Sequence, residues 1–207
     1  LAVRSGDAGL ADLLQEFGAP YTAREAVAFN RVDEVRQMLD DDPELLLQRF
    51  PPIWGGVPPE NHPTLLGIAL SRGHRELSEF LIRAGAPLTG RETHGTLLSE
   101  AAYGGDPELI RQLAAHGVGA NEVNDYPLHV AAWKGQLNAA KALIDLGVDL
   151  NLQDEYGSTA LYIAIRSKHR EMINRLIAAG ADTSLPDRTG KTAADLDPSP
   201  GGEARPD

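Results

Sequence analysis

The chain has 207 residues, 42% hydrophobic and 24% charged, with a formal net charge of −11. That composition suits a folded, soluble protein, and the negative balance disfavours general affinity for nucleic acid or an anionic membrane, because both need a basic face. There is no cysteine, so disulfides, thiolate chemistry and cysteine-held metals are excluded. No apolar run approaches the ~20 residues of a membrane span, and no basic-then-apolar leader opens the chain. The first residue is Leu1, which leaves room for an upstream segment.

In chain order, the first stretch, "SGDAGLADLLQEFGAP", reads as the second half of a helical pair, so residues 1–20 are expected to form a partial unit. A weak full unit follows over about 21–63, opening with "YTAREAVAFNRVDEVRQML". After "DDDPELLL", where Asp42 can cap and Pro43 can open an extra helical turn, comes an insertion unlike the rest, "PPIWGGVPPENHPT". Its prolines lack the donors a strand ladder needs, so the chain should cross to the next unit without strand pairing. It reads either as a cover for the end of a stack, with Phe50, Ile53 and Trp54 on apolar surface, or as a specialised binding loop.

Beyond Thr64 the chain repeats itself. "PTLLGIALSRGHRELSEFLIRAGAP" (unit 64–95), "GTLLSEAAYGGDPELIRQLAAHGVGAN" (unit 96–125), "DYPLHVAAWKGQLNAAKALIDLGVDLN" (unit 126–158) and "STALYIAIRSKHREMINRLIAAGADTS" (unit 159–186) align in register. A small residue recurs at Ala26, Ala69, Ala101, Ala131 and Ala164, where it lets neighbouring helices approach. A long apolar residue recurs at Leu14, Met38, Leu81, Leu113, Leu143 and Leu176, on the inward face of a second helix. Gly18, Gly85, Gly117, Gly147 and Gly180 follow those helices, where a left-handed cap is expected. Thr64, Thr96 and Thr159 can cap the first helix of each pair, and Pro127 suits a first turn. The fragment "DRTGKTAADLD" gives a partial unit over 187–196, and residues 197–207 should form a flexible tail.

The "YPLHVAA" and "GADTSLPDRTGKTA" segments, with this spacing, resemble the ankyrin repeat over roughly residues 1–196. The resemblance implies an all-α solenoid of stacked helix-turn-helix units, with short β-hairpin fingers and one irregular insertion. Only Tyr126 to His129 approaches the family's TPLH signature; elsewhere it reads "TLLG", "TLLS" and "TALY". The finger between units is of ordinary length after Gly147 and Gly180, clipped after Gly117, absent after Gly18 and extended after Asp42.

The histidines raise the question of catalysis. His74 and His169 fall at the turn between paired helices, and His129 lies in the TPLH-like segment; the resemblance makes these structural. No second histidine one helical turn on supplies a zinc pair, no glycine-rich phosphate loop follows a strand, and no serine elbow is present. The chain is therefore read as a non-catalytic protein-protein interaction module, an adaptor or inhibitor, with no cofactor and no metal.

In such proteins the partner meets finger tips and the exposed side of first helices. Carried over, those positions give Tyr103, Trp133, Lys134 and Arg166 on first helices, and Glu92, Glu122, Asp125, Glu155, Tyr156, Ser158, Arg188 and Lys191 on fingers. Tyr103, Trp133 and Tyr156 would form an aromatic stripe rimmed by Glu122, Asp125 and Glu155, the pattern of a binding hot spot; alternatively, Trp133 packs under the clipped finger. The acidic charge would suit a partner with a basic surface. A cytoplasmic monomer that binds neither nucleic acid nor membrane is expected. Three other readings fit the same residues: an immunity or chaperone-like protein neutralising a basic partner, an enzyme or small-ligand binder using the 51–63 loop with His62 or His94, and a spacer between domains.

Overall fold

The computed structural model describes residues 22–51, 59–90, 92, 94–121 and 125–196. The partial unit at 1–20, Ile53 and Trp54 of the insertion, Glu122 and the tail 197–207 lie outside them.

Within those residues, short helices with an alanine at their centre alternate with longer amphipathic ones. The pairs are α1 (Ala23–Ala28) with α2 (Val32–Asp41), α3 (Leu65–Arg72) with α4 (Arg75–Arg83) and α5 (Leu97–Gly104) with α6 (Pro107–Ala115). They continue with α7 (Pro127–Lys134) and α8 (Leu137–Asp145), then α9 (Ala160–Arg166) and α10 (Arg170–Ala178); α11 (Ala193–Leu196) closes the series. First helices stack on first helices from α1 to α9, and α6, α8 and α10 stack on one another, giving a two-layered solenoid. The layers meet in one apolar core. Ala26, Ala69, Ala101, Ala131 and Ala164 are fully buried in it, as are Leu81, Leu113, Leu143 and Leu176.

Local chemistry sets where these helices start and stop. Thr64 Oγ1 accepts from Gly67 N at 3.1 Å, and Thr159 Oγ1 accepts from Tyr162 N at 3.2 Å, each relieving one unpaired donor at a helix start. Pro127 occupies the first turn of α7. At the far end of α4, Gly85 has φ 92, Ala86 N donates to Leu81 O at 3.0 Å and Gly85 N to Ile82 O at 3.1 Å. That is a Schellman closure, and it needs a residue free of Cβ strain.

The first pair departs from the expected register. In α2 the buried residues are Val35 and Leu39, while Met38 is only half-buried. Glu34 occupies the place that Leu77 holds in α4, and a carboxylate cannot take a buried apolar site unpaired. The helix is rolled by about one residue, presenting Val35 and Leu39 instead. Asp42 does cap a short 3₁₀ turn over Pro43–Leu46, accepting from Glu44 N at 3.2 Å. Phe50 is buried, and its N–H donates to Pro63 O at 2.9 Å.

Among the described residues no strand forms; two isolated antiparallel bridges, Arg49–Thr64 and Glu92–Gly95, are the only strand-like pairings. The later links close on tight turns instead. Asp154 N donates to Ser158 O at 3.0 Å, and Asp187 N to Lys191 O at 2.8 Å. Asp154 Oδ1 takes the N–H groups of Tyr156 (2.9 Å) and Ser158 (2.8 Å), so the side chain consumes donors that a strand ladder would use. Adjacent links still join: Arg188 N donates to Tyr156 O at 3.0 Å.

Candidate functional site

The turn between paired helices positions the inner layer. A residue just before α4, α8 and α10 reaches back to a carbonyl of the preceding unit's first helix. His74 Nε2 lies 3.3 Å from Ala28 O, Gln136 Nε2 donates to Tyr103 O at 3.2 Å, and His169 Nε2 lies 3.0 Å from Trp133 O. His129 Nε2 is 2.9 Å from Ser158 O. Burial holds the imidazoles of His74 and His129 below their ordinary range, with each backbone bond opposing the shift. These three histidines thus serve as stitches between units, and each anchors a first helix or its link.

The links supply a second set of ties. Glu92 Oε2 accepts from Thr64 N at 2.7 Å, and its Oε1 accepts from Thr64 Oγ1 at 3.0 Å. Asp125 accepts from Thr96 N (3.0 Å), Thr96 Oγ1 (2.6 Å) and Ser99 Oγ (2.6 Å). Each carboxylate thus satisfies the start of a first helix from almost thirty residues downstream, completing backbone donors that lack intrahelical partners. Thr96 consequently makes no side-chain cap of its own, contrary to expectation. Burial, with Glu100 nearby, pushes Glu92 up to about 7, against the opposing hydrogen bonds from Thr64 and the charge of Arg49.

These ties correct the expected rim. Asp125 is fully buried, and Glu92 and Ser158 are nearly so; all three are committed to helix starts or links, and none offers a surface charge. An acid in each link (Glu92, Asp125, Asp154 and Asp187) was the available signal for this role. Glu122 lies outside the described residues. Glu155, Tyr156, Arg166 and Arg188 are exposed.

The aromatic positions are brought together in part. Trp133 is 53% exposed at the end of α7, so it is not packed under the preceding link. Its ring centroid lies 6.1 Å from that of Tyr103, which in turn stacks on His94 at 3.9 Å with the planes 21° apart. His94 Nδ1 is 2.7 Å from Glu100 Oε2, and His94 N donates to Glu100 Oε1 at 2.7 Å. A buried carboxylate therefore fixes the outermost ring of the stack. The Lys134 ammonium sits 4.3 Å from the Tyr103 centroid and 5.8 Å from that of Trp133, within cation–π range. Tyr156, 67% exposed, makes no ring contact with this group among the described residues.

Beside Trp133 runs an open groove of about 520 Å³, lined by Tyr126, Val130, Ile163, Arg166 and Asp154 among others. Sequence reasoning had not assigned Tyr126, Val130 or Ile163 to the surface. They face the groove because α7 and α9 are adjacent first helices. Among the described residues no cluster of three or more histidine or acidic residues is arranged to hold a metal, and no helix is long and apolar enough to cross a membrane.

The arrangement defines a helical-repeat solenoid that presents a rigid aromatic surface on its inner helices. Residues 98–187 match the sequence model of the ankyrin repeat family, in three copies. The chain therefore carries ankyrin repeats over that span. Similar curated proteins include the E3 ubiquitin-protein ligase KEG of Arabidopsis thaliana, 35% identical over 59% of the chain and 8% of that protein. The transient receptor potential cation channel subfamily A member 1 homolog of Caenorhabditis elegans is 33% identical over 57% of the chain and 10% of that protein. The ankyrin repeat and SAM domain-containing protein 6 of Rattus norvegicus is 33% identical over 64% of the chain and 16% of that protein. The chain thus spans a small fraction of these relatives' length.

Proposed function

We propose that the chain is a non-catalytic adaptor or inhibitor that binds a protein partner on its inner-helix face. Ankyrin repeats are in general protein-protein interaction modules, and the printed activities of the relatives belong to those much longer proteins. The observation that carries the reading is Trp133: a large aromatic, 53% exposed, on a rigid helix of a well-buried array and joined to Tyr103 and Lys134. Desolvating such an anchor at an interface centre contributes about 2 kcal/mol or more. Tyr103, Trp133, Lys134 and Arg166 form the proposed centre, with Glu155, Tyr156 and Arg188 at the edge.

The expectation of a basic partner drew on the acidic net charge of the chain and on a rim of Glu122, Asp125 and Glu155. Asp125 is buried and, of the described rim residues, only Glu155 stands exposed, so the rim adds little local support to that expectation. The test is quantitative affinity capture from the source cell with the wild-type chain and with Trp133→Ala. A partner retained at least tenfold better by the wild type, with both proteins equally helical by circular dichroism, supports the face. Equal retention of every captured protein refutes it.

A further inference from the structure

We propose that the inner-helix face takes an extended acidic segment of a protein partner, with its carboxylates on Lys134 and Arg166 and one apolar side chain in the groove beside Trp133. The proposal rests on the reading of that face as the binding surface and adds the chemistry of the occupant.

The two layers differ in how their cations are used. On the second-helix side four basic residues are paired in place, Arg36 with Asp33, Arg83 with Glu79, Arg111 with Glu108 and Lys141 with Asp145, while Arg175 makes no ion pair among the described residues. Arg75 makes a two-point contact with Asp106, at 2.7 and 2.8 Å. On the first-helix side, Arg72, Lys134 and Arg166 make no ion pair among the described residues. Burial holds the Arg72 guanidinium below its ordinary range, and the like charge of Arg24 adds to this while Tyr103 opposes it. A chain of net charge −11 therefore keeps a row of uncompensated cations along one layer, beside its exposed aromatics.

Two acids near this row are occupied. Glu100 is buried and bonded to His94. Asp154 lines the groove, but its Oδ1 already accepts two backbone N–H groups. Glu155 is exposed at the edge. A basic ligand would press Lys134 and Arg166 against like charge, whereas a carboxylate would gain charge-assisted hydrogen bonds there. The groove of about 520 Å³ has apolar walls in Trp133, Val130 and Ile163 and room for one aromatic or branched side chain. Long nucleic acid fits poorly. Its charge extends beyond the cationic row onto a chain of net charge −11, while a short peptide feels only charges within the screening length of about 8 Å at physiological salt.

The test is selection of a random twelve-residue peptide display library on the wild type, on Trp133→Ala and on Lys134→Glu/Arg166→Glu, each checked for native helicity. The expected result is a pool that requires Trp133, is enriched in Asp and Glu beside an aromatic or aliphatic residue, and binds the charge-reversed variant at least tenfold more weakly in fluorescence anisotropy. A Trp133-dependent pool that is neutral or basic, or acidic peptides indifferent to the charge reversal, overturns the acidic occupant and leaves the face standing. No Trp133-dependent pool means that the face itself was misassigned. A fluorescent single-stranded DNA 20-mer binding as tightly as the selected peptides, with the same dependence on Lys134 and Arg166, also overturns the proposal.

Discussion

The buried Glu92 should make the stability of the array fall as pH rises. Its carboxyl is 3% exposed, touches Thr64 at both oxygens and feels the charge of Glu100. Burial lifts it from the ordinary 4.5 to about 7. Between those values the folded protein holds a proton that the unfolded chain has released. Stability from this group is therefore complete below about pH 4.5 and is lost as pH rises through 7. The interval from 4.5 to 7 is worth about 3 kcal/mol. His74 and His129, held low by burial, act in the opposite sense: their contribution is present at high pH and lost as pH falls. Glu92→Gln isolates the carboxyl. The amide oxygen can accept from Thr64 N while the NH₂ donates to Thr64 Oγ1, so the cap survives without a titrating group. Urea unfolding followed by circular dichroism, from pH 4.5 to 8, should show the wild type losing about 3 kcal/mol relative to Glu92→Gln. Parallel profiles, diverging by less than about 0.5 kcal/mol, would refute the assignment of a protonatable carboxyl at that helix start.

Three further changes test the packing by the same denaturation assay. Leu143→Ala, at a fully buried position of α8, should cost about 2–5 kcal/mol. Lys168 closes the α9–α10 turn at φ 61, where Gly73 and Gly135 close theirs at φ 69; Lys168→Gly should stabilise by about 0.5–1 kcal/mol, because the strain removed exceeds the entropy added. The Ser78 hydroxyl is buried without a hydrogen-bond partner among the described residues, so Ser78→Ala should stabilise by about 1 kcal/mol.

The columns of the repeat were legible because each obeys a short-range rule. An alanine where helices cross and a glycine at positive φ are demanded by local sterics, so their spacing gives the helix pairs directly. Met38 misled because helix rotation depends on what neighbouring positions refuse to bury. Glu34 stands in the apolar column of α2, and the helix turns to bury Val35 and Leu39 instead. Asp125 misled for a longer-range reason. A carboxylate in a link looks like a solvated tip until the unpaired N–H of Thr96 is placed against it, and no helical periodicity encodes a contact across twenty-nine residues. On the candidate face, Trp133 was legible as an exposed position of a first helix, whereas Tyr103 on the preceding one is half-buried. His94 as the capping ring of their stack was not, because its place depends on the buried Glu100.

The burial of the link acids also bears on the polarity of the inner face. Glu92 and Asp125 would be anionic rim residues if their links projected into solvent. Instead, each is drawn in to complete a first helix, and the close approach leaves no room for a side chain at Gly67 or Gly95, where a Cβ would meet the Glu92 or Asp125 carboxylate. The acids are thereby removed from the surface that Tyr103, Trp133 and Lys134 present. The cations of that surface have no such helix start to satisfy, since the unpaired groups at a helix N-terminus are donors. They remain outside as uncompensated charge. The same hydrogen-bonding requirement that ties one unit to the next thus sorts charge by sign, with carboxylates in the joints and guanidinium and ammonium groups beside the aromatics.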